Sequence, residues 1–339
     1  MKETKNKIRA DFERTPLKER LKAKFGNAFF YQKLVVAIFR YVLLIGISYV
    51  ILFPFISKIA ASFMGPYDFI DPTVRLIPKN FSLTIYKAVF TETGYWKAFG
   101  TTLWVSLTCA VLQTFVCCVI AYGFAKFKFK GNKILFMLVM LTMIVPHQTL
   151  RLSMITNFKD FDVFGIMDQL AKWGILPESF RYGIKLTESF WPLIMLSAVG
   201  LAFKNGLYIF MLRQFFRGVP DELEESAYID GSGVFRTFFT IIIPLSVPML
   251  ITVFIFSFSW QWTDDYYTNI FFPANSVWMW EDVINEIPVS LTNTKASSNL
   301  YRQAISNTSG MMVIAPLVIM YLFCQKYLVQ GIERSGIVG

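Results

Sequence analysis

The sequence predicts an all-α integral membrane protein with six transmembrane helices, long outer loops and one short cytoplasmic helix. Of its 339 residues, 55% are apolar and only 17% are charged, and the mean hydropathy is +0.48. A soluble chain carries roughly 25% charged residues, so membrane burial accounts for the missing charge. Charge-free runs of about 20 residues recur, which is the length that a helix needs to cross a bilayer. The four cysteines all lie in apolar runs, which excludes a disulfide-stapled secreted fold.

Scanning the chain in order for such runs gives six predicted spans. The first run continues past Lys58, and the fourth is interrupted only by Lys204. The third run is shorter and contains Pro146 and the single histidine, so a re-entrant segment is an alternative to a full crossing there. The predicted spans are residues 38–64, 99–124, 134–150, 189–212, 237–262 and 303–325.

The positions of Lys and Arg at the span ends predict the orientation in the membrane. The short connection 125–133 carries Lys126, Lys128, Lys130 and Lys133 without an acidic residue, so we expect it on the cytoplasmic side. With six spans both termini are then cytoplasmic, and basic residues favour the inside segments roughly twofold. The long connections 65–98, 151–188 and 263–302 lie outside in this topology.

Residues 1–37 form a basic arm ahead of the first span. Residues 1–40 hold eleven Lys and Arg residues against four acidic ones. They lack the aromatic-interleaved basic motif of a nucleic-acid-binding module, so a polybasic segment at the membrane surface explains the net charge of +10 better. An apolar stripe of Leu17, Leu21, Phe25 and Phe29 favours a helix lying along the inner leaflet, and a disordered basic tail is an equally good alternative.

The segment between the fourth and fifth spans predicts a short capped helix over residues 220–231. Pro220 suits a first helical turn, and acidic residues follow it near the positive end of the helix dipole. Leu223 and Ala227 share one face, and Gly231 can take the left-handed conformation that ends a helix. Such a helix, held at both ends by spans, is a lever that a soluble partner can grip, although an ordinary connection between helices would have the same caps.

This segment resembles the cytoplasmic signature of permease subunits of ATP-binding-cassette importers. That signature reads Glu-Ala-Ala, three residues, Gly, nine residues, Ile, one residue, Leu-Pro. The chain keeps every interval, with Ser226 and Ile243 as two departures that are close in size to the residues they replace. The matching residues are Glu225, Ser226, Ala227, Gly231, Ile241, Ile243 and Pro244.

More of the chain, about residues 90–339, is similar to the type I carbohydrate importers, the branch that includes the smaller maltose permease subunit. Four stretches carry this likeness, at residues 99–106, 145–148, 258–262 and 325–332. The chain departs from the branch at its end, where Val338 precedes Gly339 and relatives usually have a lysine. The arm and the enlarged outer loops have no counterpart.

The resemblance implies a translocation subunit of the bacterial or archaeal inner membrane, with no catalytic residues, metal or cofactor of its own. ATP and Mg²⁺ would be bound by two separate ATPase subunits, and a second permease subunit and an extracellular solute-binding protein would complete the importer of a carbohydrate. Nucleic acid is not an expected partner. The residues expected to couple to the ATPase are Glu225, Ser226, Ala227, Asp230, Gly231, Ile241 and Pro244.

Polar and aromatic residues in or beside the spans are the candidates for the substrate pathway. Polar groups inside a membrane tend to face a bundle interior or a pathway. Aromatic rings stack on the apolar faces of sugars, but they also form belts at the membrane interface, and the sugar contacts can lie in the partner permease. The candidates are Gln113, Asn205, Trp260, Gln261 and Trp262.

Three other functions are alternatives. An importer of another solute, such as a glycerophosphodiester or a peptide, would favour basic residues in the spans if the cargo were anionic, and only Lys204 is available. A membrane-embedded enzyme needs convergent acid, base or nucleophile groups, and the outward pair Asp264 and Asp265 has no His or Cys near it in sequence. An ion-coupled carrier would show inverted repeats and intramembrane carboxylates, which the charge-free runs lack.

Overall fold

The computed structural model describes residues 25, 28–163, 165–272, 277–292 and 299–334. Within these ranges all regular structure is helical, and two isolated bridges are the only β pairing. The all-α class is therefore confirmed. Most of the basic arm and residues 335–339 lie outside the described residues, so the inner-leaflet helix that includes Leu17 and Leu21 stays a prediction.

The chain divides into two units after Ala61, and helix α1, Ala28–Ser62, lies in the first unit except for its last residue. This helix contains the first predicted span except for the last two residues, and it begins ten residues earlier than that span. Its 35 residues extend ~52 Å at 1.5 Å per residue. That length exceeds the ~30 Å hydrocarbon core of a bilayer, so α1 is longer than a straight crossing requires.

Residues 62–339 form the second unit. Single 3₁₀ turns lie at Pro66–Phe69, His147–Leu150 and Glu178–Phe180, and a π-helical turn, Phe238–Ile242, lies at the start of the fifth predicted span. The helices of this unit in chain order are α2 Thr84–Glu92, α3 Tyr95–Lys126, α4 Asn132–Ile144, α5 Arg151–Lys159, α6 Ile166–Lys172, α7 Trp191–Ala198, α8 Asn205–Arg217, α9 Glu222–Ile229, α10 Val234–Thr237, α11 Ile243–Trp262, α12 Tyr266–Phe271, α13 Trp280–Asn285, α14 Val289–Thr292 and α15 Asn299–Arg334.

Four helical stretches of the described chain are long and apolar enough to cross a membrane, and they coincide with the first, second, fifth and sixth predicted spans. The third predicted span is bent by 92° between α4 and the segment His147–Lys159. Pro146 explains the break, because it favours an extended Val145 and so ends α4 at Ile144. Counting this pair as one broken span gives five, and the re-entrant alternative fits the same bend.

The fourth predicted span, 189–212, is not one helix, and the expectation of a continuous span is wrong there. It is divided into α7 and α8 by residues 199–204. Lys204 has a φ of +73°, a left-handed conformation that an α-helix cannot contain. The low charge of residues 189–212 predicted a membrane span. Hydropathy depends only on composition, so it could not predict the left-handed backbone that separates α7 from α8.

Helix α3 lies at the centre of the second unit and packs against α7, α8 and α11. Its buried residues are distributed around the helix, which explains why its sequence has no single apolar stripe. Helix α11 also packs along α15. The closest approach is at Gly331, where an added Cβ would overlap the Thr252 hydroxyl and lie 3.1 Å from the Pro248 carbonyl oxygen, so this crossing requires glycine.

Candidate functional site

The predicted cytoplasmic lever is helix α9, which begins two residues after Pro220 and ends at Ile229. Its C-terminus is closed by a Schellman motif. The Ser232 amide donates to the Ala227 carbonyl oxygen at 2.9 Å, and the Gly231 amide donates to the Tyr228 carbonyl oxygen at 3.0 Å. Gly231 has a φ of +80°, which confirms that it ends the helix in the left-handed conformation.

Helix α9 has an inner and an outer face. Glu224 and Ala227 are buried, whereas Glu225, Ser226 and Asp230 are exposed. The buried pair lies three residues apart, as expected for one face of a helix. Three of the predicted coupling residues are therefore free to meet a partner, while Ala227 belongs to the packing that holds the helix in place.

Apolar side chains surround the outer face of α9. Ile229 is 86% exposed and Phe235, which lies just after the helix, is 82% exposed. Leu223 and Phe239 are also exposed. These apolar groups lie on α9, on α10 and in the π turn that follows it.

Lys126, the last residue of α3, joins that helix to α9. Its ammonium donates hydrogen bonds to the Val219 carbonyl oxygen at 2.7 Å and to Asp221 Oδ1 at 2.5 Å, and it lies 3.9 Å from Glu224 Oε1. Only 6% of the lysine side chain is exposed. A buried cation is unfavourable unless it is paired, so these oxygen atoms fix the end of α3 to the start of α9.

The two acidic partners of Lys126 have opposite pKa shifts. The hydrogen bond from Lys126 and its charge lower the pKa of the exposed Asp221 carboxyl. Burial raises the pKa of the Glu224 carboxyl and outweighs the attraction of Lys126, because the ammonium lies beyond hydrogen-bond distance from it. Asp221 is therefore the bonded partner, and Glu224 is a buried carboxyl that depends on the same cation.

A second joint connects the lever to α11. Thr237 donates a hydrogen bond to the Ser232 hydroxyl at 3.1 Å, and the ring of Phe238 lies 4.7 Å from that of Tyr122 in α3. The π turn Phe238–Ile242 follows. It contains Ile241 and precedes Pro244, which has no N–H for the helical hydrogen-bond ladder. Interruptions of this kind are frequent at functional sites, and both residues lie where α10 passes into α11.

Gln113 lies in a buried polar layer inside the second unit. Its amide nitrogen donates to the Ser197 hydroxyl at 3.2 Å, and its oxygen accepts from the Ser257 hydroxyl at 2.9 Å. The three residues belong to α3, α7 and α11. A cavity of about 20 Å³ adjoins the layer and is also lined by Trp260 and Gln261. This arrangement brings three of the five predicted pathway residues together.

A larger cavity of about 190 Å³ lies at the end of α11. Its wall is tied together by His147, whose Nδ1 lies 2.9 Å from the Tyr267 hydroxyl and whose carbonyl oxygen accepts from the Tyr266 hydroxyl at 2.6 Å. Trp260 is about half exposed. The lining residues are His147, Gln148, Phe203, Trp260, Thr263, Asp264, Asp265, Tyr266 and Tyr267.

Asp264 is engaged by the backbone at the start of α12. Its carboxylate accepts hydrogen bonds from the amides of Tyr267 and Thr268 at 3.1 Å. Burial nevertheless raises the pKa of this carboxyl to about 6. The sequence pattern pointed to Asp264 only as half of an outward carboxylate pair, because its partners depend on how α12 folds back.

The structure places the other two pathway candidates elsewhere. Trp262 is buried and donates from Nε1 to the Val313 carbonyl oxygen at 2.9 Å, and it does not line either cavity. Asn205 is 1% exposed at the start of α8, where its carbonyl oxygen lies 3.8 Å from Cys117 Sγ. His147 and Phe203 line the 190 Å³ cavity instead, and Lys204 lines a neighbouring cavity. The interruption of an apolar run by Lys204 is the signal by which the sequence could have identified it.

Within the described residues, no group of three or more His, Cys, Asp or Glu side chains could hold a metal ion.

Known proteins resemble this chain over most of its length. It is 26% identical to the arabinooligosaccharides transport system permease protein AraQ of Halalkalibacterium halodurans, over 86% of the chain and 93% of that protein. It is also 26% identical to the polygalacturonan/rhamnogalacturonan transport system permease protein YtcP of Bacillus subtilis, over 88% of the chain and 96% of that protein.

The fold has a counterpart among solved structures. A chain of a bacterial ABC transporter involved in the import of the acidic polysaccharide alginate superposes with a TM-score of 0.66 at 16% identity, covering 87% of this chain and 97% of that one. The model of the family described as "binding-protein-dependent transport system inner membrane component" matches residues 118–334, which is more than half of the chain and includes α9 and the π turn. The chain belongs to this family of transport-system membrane components.

Proposed function

We propose that this protein is a transmembrane subunit of an ATP-driven importer of a sugar or oligosaccharide. With a second permease subunit it forms the translocation pathway, and α9 transmits the closure of the ATPase subunits to the membrane helices. The observation that carries the proposal is the attachment of α9 to α3 through Lys126. A lever transmits force only if it is fixed to what it moves, and α3 is the central helix of the second unit.

The cargo is assigned from the outer cavity together with the relatives. Two of those relatives are named for the transport of arabinooligosaccharides and of polygalacturonan or rhamnogalacturonan. The cavity at the end of α11 offers an exposed indole ring, phenol hydroxyls and carboxylates, which are the groups that stack on sugar rings and bind their hydroxyls. The alternatives of a glycerophosphodiester or peptide importer, or of an enzyme, have no such support.

The remaining parts of the machine follow from this role. ATP and Mg²⁺ are bound by two partner ATPase subunits, and an extracellular solute-binding protein delivers the sugar. We place both termini and α9 on the cytoplasmic side of the inner membrane, with the pair α7 and α8 as a broken fourth span. In domain terms these are the arm 1–37, the first span 38–64, the outer loop 65–98, the permease core 99–330 and the tail 331–339.

The mechanism uses both joints of the lever. When two ATPase subunits close on ATP, the exposed Glu225, Ser226 and Asp230 move with the surface that holds them. Lys126 passes this displacement to α3, and the Phe238 contact with α3 passes it to the start of α11. Since α3 and α11 pack together, the small cavity that both helices line changes which side it opens to. This is a rigid-body switch of the kind in which small shifts at one site repack an interface.

Gly231 provides the test of the lever. A side chain at a φ of +80° costs about 1–2 kcal/mol, although an added Cβ there would meet no atom within 4 Å. We expect Gly231→Val to enter the membrane normally and to lower ATP-dependent sugar uptake in the reconstituted importer about tenfold, which is the rate equivalent of ~1.4 kcal/mol.

Gly233 is the matched control, because its added Cβ also meets no atom within 4 Å and its φ is −77°. Gly233→Val should keep uptake near the wild-type rate, and Gly231→Asn should keep most of it because asparagine tolerates the left-handed conformation. Full uptake by Gly231→Val would show that the lever model is wrong.

A further inference from the structure

Lys204 is a cation in the break between α7 and α8. Its φ of +73° is unusual for a residue with a side chain, and strain of this kind costs of the order of 1–3 kcal/mol and is concentrated at functional sites. A glycine at this position would avoid the cost. Lys204 is therefore a strained cation inside an otherwise apolar run.

Aromatic rings hold the ammonium of Lys204. Its Nζ lies 4.4 Å from the centroid of Phe203 and 4.7 Å from that of Trp260. Among the described residues, no carboxylate lies within ion-pair distance of Lys204. Ionisable residues within membrane segments usually pair with one another or mark a substrate pathway, and the described part of the chain does not supply the pair.

Lys204 lines one of two cavities that share part of their walls. One is the 190 Å³ cavity at the end of α11, and the other, of about 640 Å³, is lined by Lys204 together with α4 and the residues that follow it. His147, Gln148 and Phe203 line both. The two neighbouring cavities are called the recess below. The larger one is lined mostly by aliphatic side chains and by itself is large enough for a small ligand, since ligand pockets occupy roughly 300–1,000 Å³.

The charges of this recess are separated. Lys204 lines the larger cavity, whereas Asp264 and Asp265 line the smaller one at the end of α11. The Asp264 carboxylate is turned toward the backbone amides of Tyr267 and Thr268. A ring that carries one carboxylate and several hydroxyls can therefore place its carboxylate against the ammonium and its hydroxyls against the two aspartates.

We propose that Lys204 binds the carboxylate of an acidic saccharide, a uronate, in this recess, with the ring of Trp260 beside the sugar. This inference rests on the proposed function, since it names the class of sugar that the importer takes. A charged hydrogen bond of this kind discriminates more strongly than a neutral one. The site therefore selects an acidic sugar unit over its neutral counterpart.

The test is a binding measurement on the assembled importer in nanodiscs, with both permeases and both ATPase subunits. The probes are trigalacturonate and galactotriose, which differ in having a carboxylate or a hydroxymethyl group on each ring. We expect the wild type to bind trigalacturonate about tenfold more tightly. Lys204→Met should remove this preference, and Lys204→Arg should keep it. Lys172→Met is the control, because that exposed lysine pairs with Asp168 on α6.

Each outcome is decisive for the proposal. Equal binding of the two probes by the wild type, or a preference that survives in Lys204→Met, overturns it. A loss of assembled complex in Lys204→Met, with the preference unchanged in the complex that remains, assigns the lysine to the interface with the second permease and also overturns it. Stimulation of ATP hydrolysis by the solute-binding protein, measured on the same preparation, tests the proposed function separately, because it requires the lever but not Lys204.

Discussion

Lys126 and Lys204 show how two lysines at helix ends in one helical unit reach opposite environments. Lys126, at the end of α3, is enclosed by oxygen atoms of Val219, Asp221 and Glu224. Lys204, just before α8, lies over aromatic carbon and has no ion pair within the described chain. A cation whose charge is balanced inside the chain stabilises the fold. A cation without an ion pair inside the chain is available to bind an anionic ligand.

The backbone conformations of Lys126 and Lys204 also differ. Lys126 is helical, and the extended Phe127 after it ends α3 without strain. Lys204 is held in the left-handed region. The lever joint is thus built from favourable local choices, whereas the outer recess keeps an unfavourable one. The backbone strain at Lys204, which Lys126 lacks, agrees with the proposal that Lys204 serves ligand binding at a cost in stability.

Replacing Lys126 tests whether this lysine stabilises the fold, and it should have the largest effect on stability. Lys126→Met leaves the buried Glu224 carboxyl and the Val219 carbonyl without the cation, and removing one partner of a buried pair costs on the order of 3 kcal/mol. We expect a clear fall in the thermal unfolding temperature of the complex in detergent, together with loss of coupled ATP hydrolysis.

The pH dependence of this variant identifies the cause. The pKa of Glu224 is already raised, so its folded form holds a proton more firmly than its unfolded form, and stability falls as the pH rises through the raised pKa. Without Lys126 the penalty should grow at high pH and shrink at low pH. The double variant Lys126→Met with Glu224→Gln should recover part of the loss, and an unchanged loss would show that Glu224 is not the reason.

The sequence predicted helix α9 well because the signals for this helix are local. The caps of α9 lie within fourteen residues, and the prediction of a left-handed Gly231 is confirmed by its φ of +80°. The partner that fixes the helix, Lys126, lies 95 positions before Asp221, and no local pattern links the two. Sequence reasoning assigned that lysine only to the charge of a cytoplasmic loop.

The outer region was predicted less well for a physical reason. Hydropathy treats residues 189–212 as one apolar run, but the left-handed Lys204 divides it. Trp260 and Trp262 were both pathway candidates, yet Trp260 lines a cavity while Trp262, two residues later, is buried and donates to the Val313 carbonyl oxygen. Residues two apart on a helix point in different directions, and only the packing decides which of them meets a ligand.

Replacing Lys204 should change the stability of the complex much less than replacing Lys126. Lys204→Met removes a cation that has no ion pair in the described chain, so we expect a change within ~0.5 kcal/mol. Lys204→Gly also relieves the left-handed backbone and should raise stability by about 1 kcal/mol. Thermal unfolding of the assembled importer checks both variants. A loss in Lys204→Met as large as that in Lys126→Met would erase the distinction between the two lysines.

Replacing Asp264, an acidic residue of the recess, should have the smallest effect on stability. Burial raises the pKa of its carboxyl from the usual 3.8 to about 6, so the folded state binds the proton more firmly than the unfolded state between these values. Its contribution to stability is therefore complete below pH ~4 and is lost as the pH rises to ~6. We expect Asp264→Asn to unfold at a higher temperature than the wild type at pH 7.5, by an amount equivalent to about 1 kcal/mol after allowance for partial exposure, and to lose this advantage at pH 4.

The matched control is Asp265→Asn, a substitution of the exposed neighbour. An equal response of the two variants would assign the effect to the net charge of the recess, whereas a response confined to Asp264 assigns it to burial against the start of α12.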